Sequence, residues 1–69
     1  MDSFQMGDHV RICGKNINGE IIDVGPAQKD GTVWYIVEKD EPGYTDDPDA
    51  YRVCGWELYD CTADQLTKI

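Results

Sequence analysis

The sequence has few cysteines and no long apolar run. Three cysteines among 69 residues are too few, and odd in number, for a scaffold built on disulfides. No basic segment followed by an apolar run opens the chain, so we expect no secretory signal. No apolar stretch approaches the length of a membrane span. Free thiols are typical of the cytoplasm, where we expect the protein to reside.

Positive charge is scarce as well. Six lysines and arginines stand against fourteen acids, which gives a net charge of −8. The basic residues are scattered along the chain and form no cluster. This balance opposes binding to nucleic acid and to anionic membranes. We therefore expect neither as a direct partner.

The sequence offers no catalytic or metal-binding pattern. Its soft metal ligands are His9, Cys13, Cys54 and Cys61, and none of the cysteines form a Cys-x-x-Cys pair. His9 has no nucleophile at a diagnostic spacing and is interpreted as a surface residue of a strand. We predict no catalytic residue, no metal and no cofactor, with the cysteines acting as small buried apolar groups.

Helical periodicity is also missing, and the chain instead alternates in short segments. We predict one domain over residues 6–69, preceded by a flexible arm at 1–5. Strands are predicted at 8–13, 20–24, 32–38 and 53–61. The Asn18-Gly19 pair predicts a two-residue hairpin turn, because both residue types tolerate positive φ.

The end of the chain predicts one short helical turn and a last strand. Thr62 is a plausible N-cap for a turn that runs to Leu66, and residues 67–69 would close the sheet. About five short strands separated by turn signals predict an all-β protein, specifically a small SH3-like barrel.

The segment 53–61 is the main candidate for function. Read as one strand, it places Cys54, Trp56 and Leu58 toward the core and exposes Glu57 and Tyr59. An exposed carboxylate beside an aromatic ring suits a cationic or arginine-rich protein partner. The predicted binding surface also includes four other aromatic residues: Trp34, Tyr35, Tyr44 and Tyr51. The alternative is that these rings only cover the open side of the barrel.

Two further segments bear on partners. The strand at 32–38 is apolar on both faces, so it is covered either twice within the domain or once by a partner; the small size of the chain favours a partner and hence a homo-oligomer. The loop at 39–51 is long and acidic, with Asp40, Glu41, Asp46, Asp47 and Asp49, and long loops are usually functional or mobile. Its spacing lacks the ligand pattern of an EF-hand, so a solvated loop is favoured over a calcium site.

Three segments resemble the plasmid-borne type II dihydrofolate reductases in the same order along the chain. They are Met6-Gly7-Asp8-His9-Val10-Arg11, Tyr35-Ile36-Val37-Glu38 with Pro42-Gly43, and Glu57-Leu58-Tyr59. The resemblance implies an SH3-like barrel, and for the family a homotetramer whose central pore binds NADPH and dihydrofolate.

The site residues implied by that resemblance are only partly kept. The family's Val-Gln-Ile-Tyr pore motif falls on Trp56-Glu57-Leu58-Tyr59, where Glu57 replaces the glutamine. The family's pore lysine falls on Ile12. Both changes disfavour bound anions.

These observations favour an SH3-like module that binds a protein partner or itself. An NADPH-dependent enzyme with a pore shared between subunits is the alternative. A second alternative is an acidic mimic of nucleic acid that inhibits a basic partner, since −8 is a large charge for so small a domain.

Overall fold

A computed structural model describes residues 4–44 and 47–69 and shows an all-β protein. Its elements are β1 (His9–Ile12), β2 (Ile17–Val24), β3 (Trp34–Lys39), β4 (Tyr51–Val53), β5 (Trp56–Thr62), a 3₁₀ turn (Ala63–Gln65) and β6 (Leu66–Lys68). The all-β prediction is therefore confirmed. No helix in the described part of the chain is long and apolar enough to cross a membrane.

The six strands form one antiparallel sheet in the order β4-β5-β3-β2-β1-β6. Over residues 4–44 and 47–69 no ladder joins β4 to β6, so the sheet is open and β4 and β6 are its edges. The predicted count of about five strands is one too few, and a closed barrel is not observed. A register shift between Ile21 and Asp23 marks a β-bulge in β2, which bends that strand and increases its twist.

The core lies on one face of this sheet. It contains residues of five strands together with one residue before β1: Phe4, Val10, Ile12, Ile21, Tyr35, Val37, Tyr59, Cys61 and Leu66. The Phe4 ring packs edge-on against the Tyr35 ring with 5.5 Å between centroids. Phe4, which lies within the predicted arm, thus packs in the core, while Met1, Asp2 and Ser3 lie outside the described residues.

The turn between β1 and β2 lies earlier than the sequence suggested. It comprises residues 13–16, in which Gly14 and Asn16 have φ of 84° and 55°. The predicted turn at Asn18-Gly19 is wrong, because both residues lie inside β2 and pair with Arg11 and Val10 of β1. Positive φ was the correct criterion, but Gly14 and Asn16 satisfy it instead.

The segment 53–61 is a hairpin rather than one strand. Cys54 and Gly55 have φ of 51° and 86° and form a two-residue turn between β4 and β5. Two positive φ values in succession are typical of the turn that matches the twist of a hairpin. The break separates Val53 from the strand that follows it.

The predicted faces of this segment are reversed. Glu57 and Tyr59 are 0% and 2% exposed, and Cys61 lies on the same buried face. Trp56 and Leu58 are half-buried on the opposite face, and Cys54 is exposed in the turn. The prediction that Cys54, Trp56 and Leu58 form the core is therefore wrong, and so is the predicted exposure of Glu57 and Tyr59.

The helical turn before the last strand is confirmed. Thr62 occupies the N-cap of Ala63–Gln65, and its backbone N–H donates to Gln65 Oε1 at 2.9 Å. This is one half of a capping box, which satisfies a donor at the start of the turn. β6 then pairs with β1, with Leu66 opposite Ile12.

Candidate interaction surface

The buried side of β5 holds an ion pair rather than a binding surface. Glu57 Oε1 accepts a hydrogen bond from Lys39 Nζ at 2.9 Å, and Arg52 Nε lies 3.9 Å from Glu57 Oε2. Lys39 and Arg52 belong to the strands on either side of β5, so the carboxylate has a cation on both sides. A charge inside a protein requires such partners. Glu57 therefore has no surface to offer a ligand in this fold.

The opposite side of the same three strands is exposed and largely apolar. Residues directly opposite each other in an antiparallel ladder share a face, so the registers define its members. We call this the outer face: Trp34, Ile36, Glu38, Tyr51, Val53, Trp56, Leu58, Asp60 and Thr62. Trp34, Tyr51 and Val53 are 40%, 55% and 48% exposed. An apolar patch of this kind on a small domain is typical of an interaction site.

A groove of about 410 Å³ lies beside the second half of β5, which we call the β5 groove. β4 begins at Tyr51, which pairs with Leu58, so the second half of β5 extends beyond the start of β4. The lining includes two members of the exposed aromatic set, Trp34 and Tyr51, and two buried residues, Tyr59 and Cys61. Its charged lining residues are Lys15, Asp49 and Asp60. The groove is thus lined by both exposed aromatic side chains and carboxylates.

Tyr51 and Asp60 are fixed to each other at this groove. The Tyr51 hydroxyl donates to Asp60 Oδ2 at 2.8 Å. This hydrogen bond to the carboxylate, together with its charge, raises the pKa of Tyr51 above its usual value. The ring is more than half exposed although its hydroxyl is held. The pair therefore presents an oriented aromatic ring next to a carboxylate.

The acidic loop is tied to the β1–β2 turn by Lys15. Its Nζ donates to Asp47 Oδ2 at 2.9 Å and to Asp49 Oδ2 at 3.1 Å. It also lies 5.8 Å from the centroid of the Tyr59 ring, within cation–π range. Asp47 is therefore not simply solvated as predicted, with 18% of its side chain exposed, whereas 71% of the Asp49 side chain is exposed. Asp46 lies outside the described residues.

Lys15→Met is expected to raise the pKa of Asp47. That pKa lies below 3.8 mainly because the Asp49 N–H donates to the carboxylate, and secondly because Lys15 does. A carboxyl whose pKa is lower in the folded chain contributes stability above its unfolded pKa, and loses it as the pH falls through the folded value. The variant should therefore lose less stability on acidification.

Carboxyl-carbon NMR titration of Asp47 measures this directly, with Lys29→Met as the charge-matched control because Lys29 is exposed and lies outside the acidic loop. The Asp47 pKa should remain below 3.8 in the Lys15 variant, since the backbone donor persists. An Asp47 titration identical in the Lys15→Met and Lys29→Met variants would contradict the role assigned to Lys15.

The same loop also contacts the β4–β5 turn. The Gly43 N–H donates to the Gly55 carbonyl at 2.7 Å, and the Gly55 N–H donates to the Tyr44 hydroxyl at 2.9 Å. The Arg52 guanidinium lies 5.6 Å from the centroid of the Tyr44 ring. Tyr44 is exposed, as predicted for the binding surface, but its contacts are with the hairpin rather than with the β5 groove.

The remaining acids of the loop lie at a different place. Asp40 and Glu41 line a polar cavity of about 330 Å³ together with Asn16, Ile17, Asn18 and Lys39. Asp40 accepts from the exposed His9 ring at 3.0 Å, which confirms His9 as a surface residue of a strand. The four described acids of the loop therefore lie at two different places.

The predicted surface residues divide into three groups. Trp34 and Tyr51 line the β5 groove, Tyr44 contacts the β4–β5 turn, and Tyr35, Glu57 and Tyr59 are buried, although Tyr59 also lines the groove. The prediction that the cysteines are buried holds for Cys61 only, because Cys13 and Cys54 are exposed. Burial raises the pKa of the Cys61 thiol to about 11, so it is not a nucleophile at neutral pH. In the described part of the chain no three His, Cys, Asp or Glu side chains are grouped to hold a metal.

Comparison of the chain with family models, with curated proteins and with solved structures gave no significant match in any of the three. The functional argument therefore depends on the geometry of the chain alone.

Sequence reasoning missed Asp60 and Lys15 as residues of the site. Asp60 lies two positions after Leu58, so it would have been assigned to the outer face had that face been identified correctly. Lys15 lies in a turn that was predicted elsewhere, and its contacts with Asp47 and Asp49 span more than thirty residues. A pattern of neighbouring residues cannot predict a contact between residues so far apart along the chain.

Proposed function

We propose that this chain is a protein-interaction module of the SH3-like barrel type, which binds a basic segment of a partner protein on its outer face and in the β5 groove. The observation that carries the proposal is an exposed aromatic and apolar face that continues into a groove with carboxylates. Aromatic residues are enriched at protein interfaces, and carboxylates select partners of positive charge.

The barrel type is supported by three features of the fold. β1 pairs with both β2 and β6, the β-bulge bends β2, and a 3₁₀ turn immediately precedes the last strand. Such bends allow a small antiparallel sheet to curl around one core. These features are consistent with the barrel that the resemblance implies.

The net charge favours a basic partner over a second copy of the chain. Two copies with a charge of −8 each repel one another, and the outer face itself carries Glu38 and Asp60. A basic segment instead gains from charge pairing while its apolar side chains cover Trp34 and Val53. Self-association remains an outcome that the test below distinguishes.

Neither enzymatic activity nor nucleic-acid mimicry is favoured by a specific feature of the surface. Glu57 and Tyr59, which the resemblance assigns to a pore shared between subunits, are buried within the subunit. The described acids of the loop are divided between Lys15, which pairs with Asp47 and Asp49, and the polar cavity lined by Asp40 and Glu41. We therefore do not extend the proposal to NADPH or dihydrofolate.

The test uses two synthetic peptides of equal length, one alternating arginine with valine and one alternating glutamate with valine. Amide NMR spectra of the protein are recorded with each peptide at 50 and 300 mM NaCl. We expect the basic peptide to shift the amide signals of residues 34–36, 51–53 and 58–60 and to bind at least about tenfold more tightly than the acidic one. Higher salt should weaken this binding because exposed charges are screened.

Trp34→Ala should weaken binding of the basic peptide by about tenfold, a magnitude typical of a central aromatic residue at an interface. Met6→Ala is the matched control, because Met6 is exposed but lies outside the outer face. Equal affinity for both peptides, shifts confined to other strands, or no shift at millimolar peptide would refute the proposal. A dimer detected by light scattering and lost in Trp34→Ala would assign the face to self-association instead.

A further inference from the structure

The carboxylate of Asp60 is exposed and has unused capacity to accept hydrogen bonds. It receives the Tyr51 hydroxyl on Oδ2. In the described part of the chain no lysine, arginine or histidine forms an ion pair with it. A carboxylate has about four acceptor positions on its two oxygens, so a ligand can still donate to Oδ1.

The other charges of the β5 groove are already balanced. Lys15 is held between Asp47 and Asp49 at 2.9 and 3.1 Å. Its charge is therefore neutralised, and it does not oppose a second cation in the groove. Asp60 is the charged lining residue that lacks a cation among the described residues.

Asp60 is accompanied by exposed aromatic surface. The Tyr51 hydroxyl is fixed by Asp60 while 55% of the residue is exposed, and Trp34 lines the same groove at 40% exposure. A cation over such a ring is attracted by its π-electrons. Among the described residues this contact occurs twice, with Lys15 at Tyr59 and Arg52 at Tyr44. Tyr51 is an exposed ring beside a carboxylate, and no cation of the described residues lies over it.

We infer that the β5 groove binds the guanidinium of one arginine of the partner segment, stacked on Tyr51 and paired with Asp60. This inference rests on the proposed function and names the chemistry recognised at one position of that surface. A guanidinium is planar and less strongly hydrated than an ammonium, so it can stack on a ring and donate to a carboxylate at the same time. A volume of about 410 Å³ accommodates such a side chain.

The test replaces each arginine of the arginine–valine peptide in turn by citrulline, which is neutral and nearly identical in shape, and by lysine. At one position citrulline should weaken binding to the wild-type protein by about tenfold, and lysine should weaken it by about threefold. In Asp60→Asn the same citrulline replacement should have less than a twofold effect, because the paired charge is gone. Glu41→Gln is the control of equal charge change, since Glu41 lines the other cavity.

Tyr51→Phe provides a second measurement that keeps the ring and removes the hydroxyl. It should reduce the preference for arginine over lysine, because the ring is no longer held beside Asp60. The amide spectrum and thermal midpoint of each free variant verify that it folds, as expected for substitutions at exposed positions.

The outcomes separate the two proposals. If the basic peptide still binds the outer face but citrulline weakens it equally in the wild type and in Asp60→Asn, the arginine assignment is wrong and the interaction module stands. If lysine binds as tightly as arginine, the guanidinium assignment is wrong. Absence of binding by every peptide would overturn both.

Discussion

Gly19→Ala is expected to remove about 3 kcal/mol from the free energy of unfolding, at the upper end of what overpacking costs. A Cβ at this position would lie 2.4 Å from the Glu38 carbonyl oxygen and 2.7 Å from Val37 Cγ1. Both atoms belong to β3, the strand that pairs with β2 at this point. The oxygen is backbone and cannot move without displacing the ladder, so the strain is not relieved by a change of rotamer.

The size of the domain makes that loss severe. At typical per-residue values a chain of 69 residues has about 3–10 kcal/mol of total stability, so the substitution should remove between about a third and all of it. Urea denaturation followed by tryptophan fluorescence measures the difference. Gly25→Ala is the matched control, because its Cβ would approach the Trp34 carbonyl oxygen only to 3.3 Å. A Gly19→Ala midpoint equal to that of Gly25→Ala would contradict the steric argument.

Lys39→Met is expected to cost about 3 kcal/mol for an electrostatic reason. The substitution removes the cation 2.9 Å from a fully buried Glu57 and leaves Arg52, which is 3.9 Å away and 47% exposed in its side chain. A buried carboxylate that loses its closest partner retains the desolvation penalty without the compensating interaction. Methionine fills a similar volume, so the loss reports the charge rather than a cavity.

The double variant Lys39→Met with Glu57→Leu tests this interpretation. With both charges removed, stability should return to within about 1 kcal/mol of the wild type, since buried pairs can often be replaced by apolar residues of similar size. Lys68→Met is the surface control, because Lys68 is exposed and its pair with Asp8 spans 3.5 Å; it should change stability by less than about 0.5 kcal/mol. A double variant less stable than Lys39→Met would show that Glu57 stabilises the fold by another route.

The predicted binding surface differs from the observed one because the buried and exposed faces of β5 are opposite to those predicted. Alternation showed that the segment has two different faces, but hydrophobicity favoured the face with Trp56 and Leu58. Glu57 occupies the core because Lys39 and Arg52, on the two neighbouring strands, place cations 2.9 and 3.9 Å from its carboxylate. Those neighbours are separated from it by eighteen and five residues, and their alignment depends on the register of three strands. Gly55 was the local sequence signal of this hairpin, because glycine tolerates the positive φ that the turn requires.

The sequence by itself determined that this protein is all-β, where most of its strands lie, and that a capped turn at Thr62 precedes the last strand. These properties follow from residue types and from spacings of a few positions, which act locally. Only the tertiary structure decided which face of β5 is buried, that Gly19 must be glycine, and that Asp60 meets Trp34 and Tyr51 at one groove. Each of those depends on contacts between strands, because charge pairing and steric fit are settled by which residues lie opposite one another.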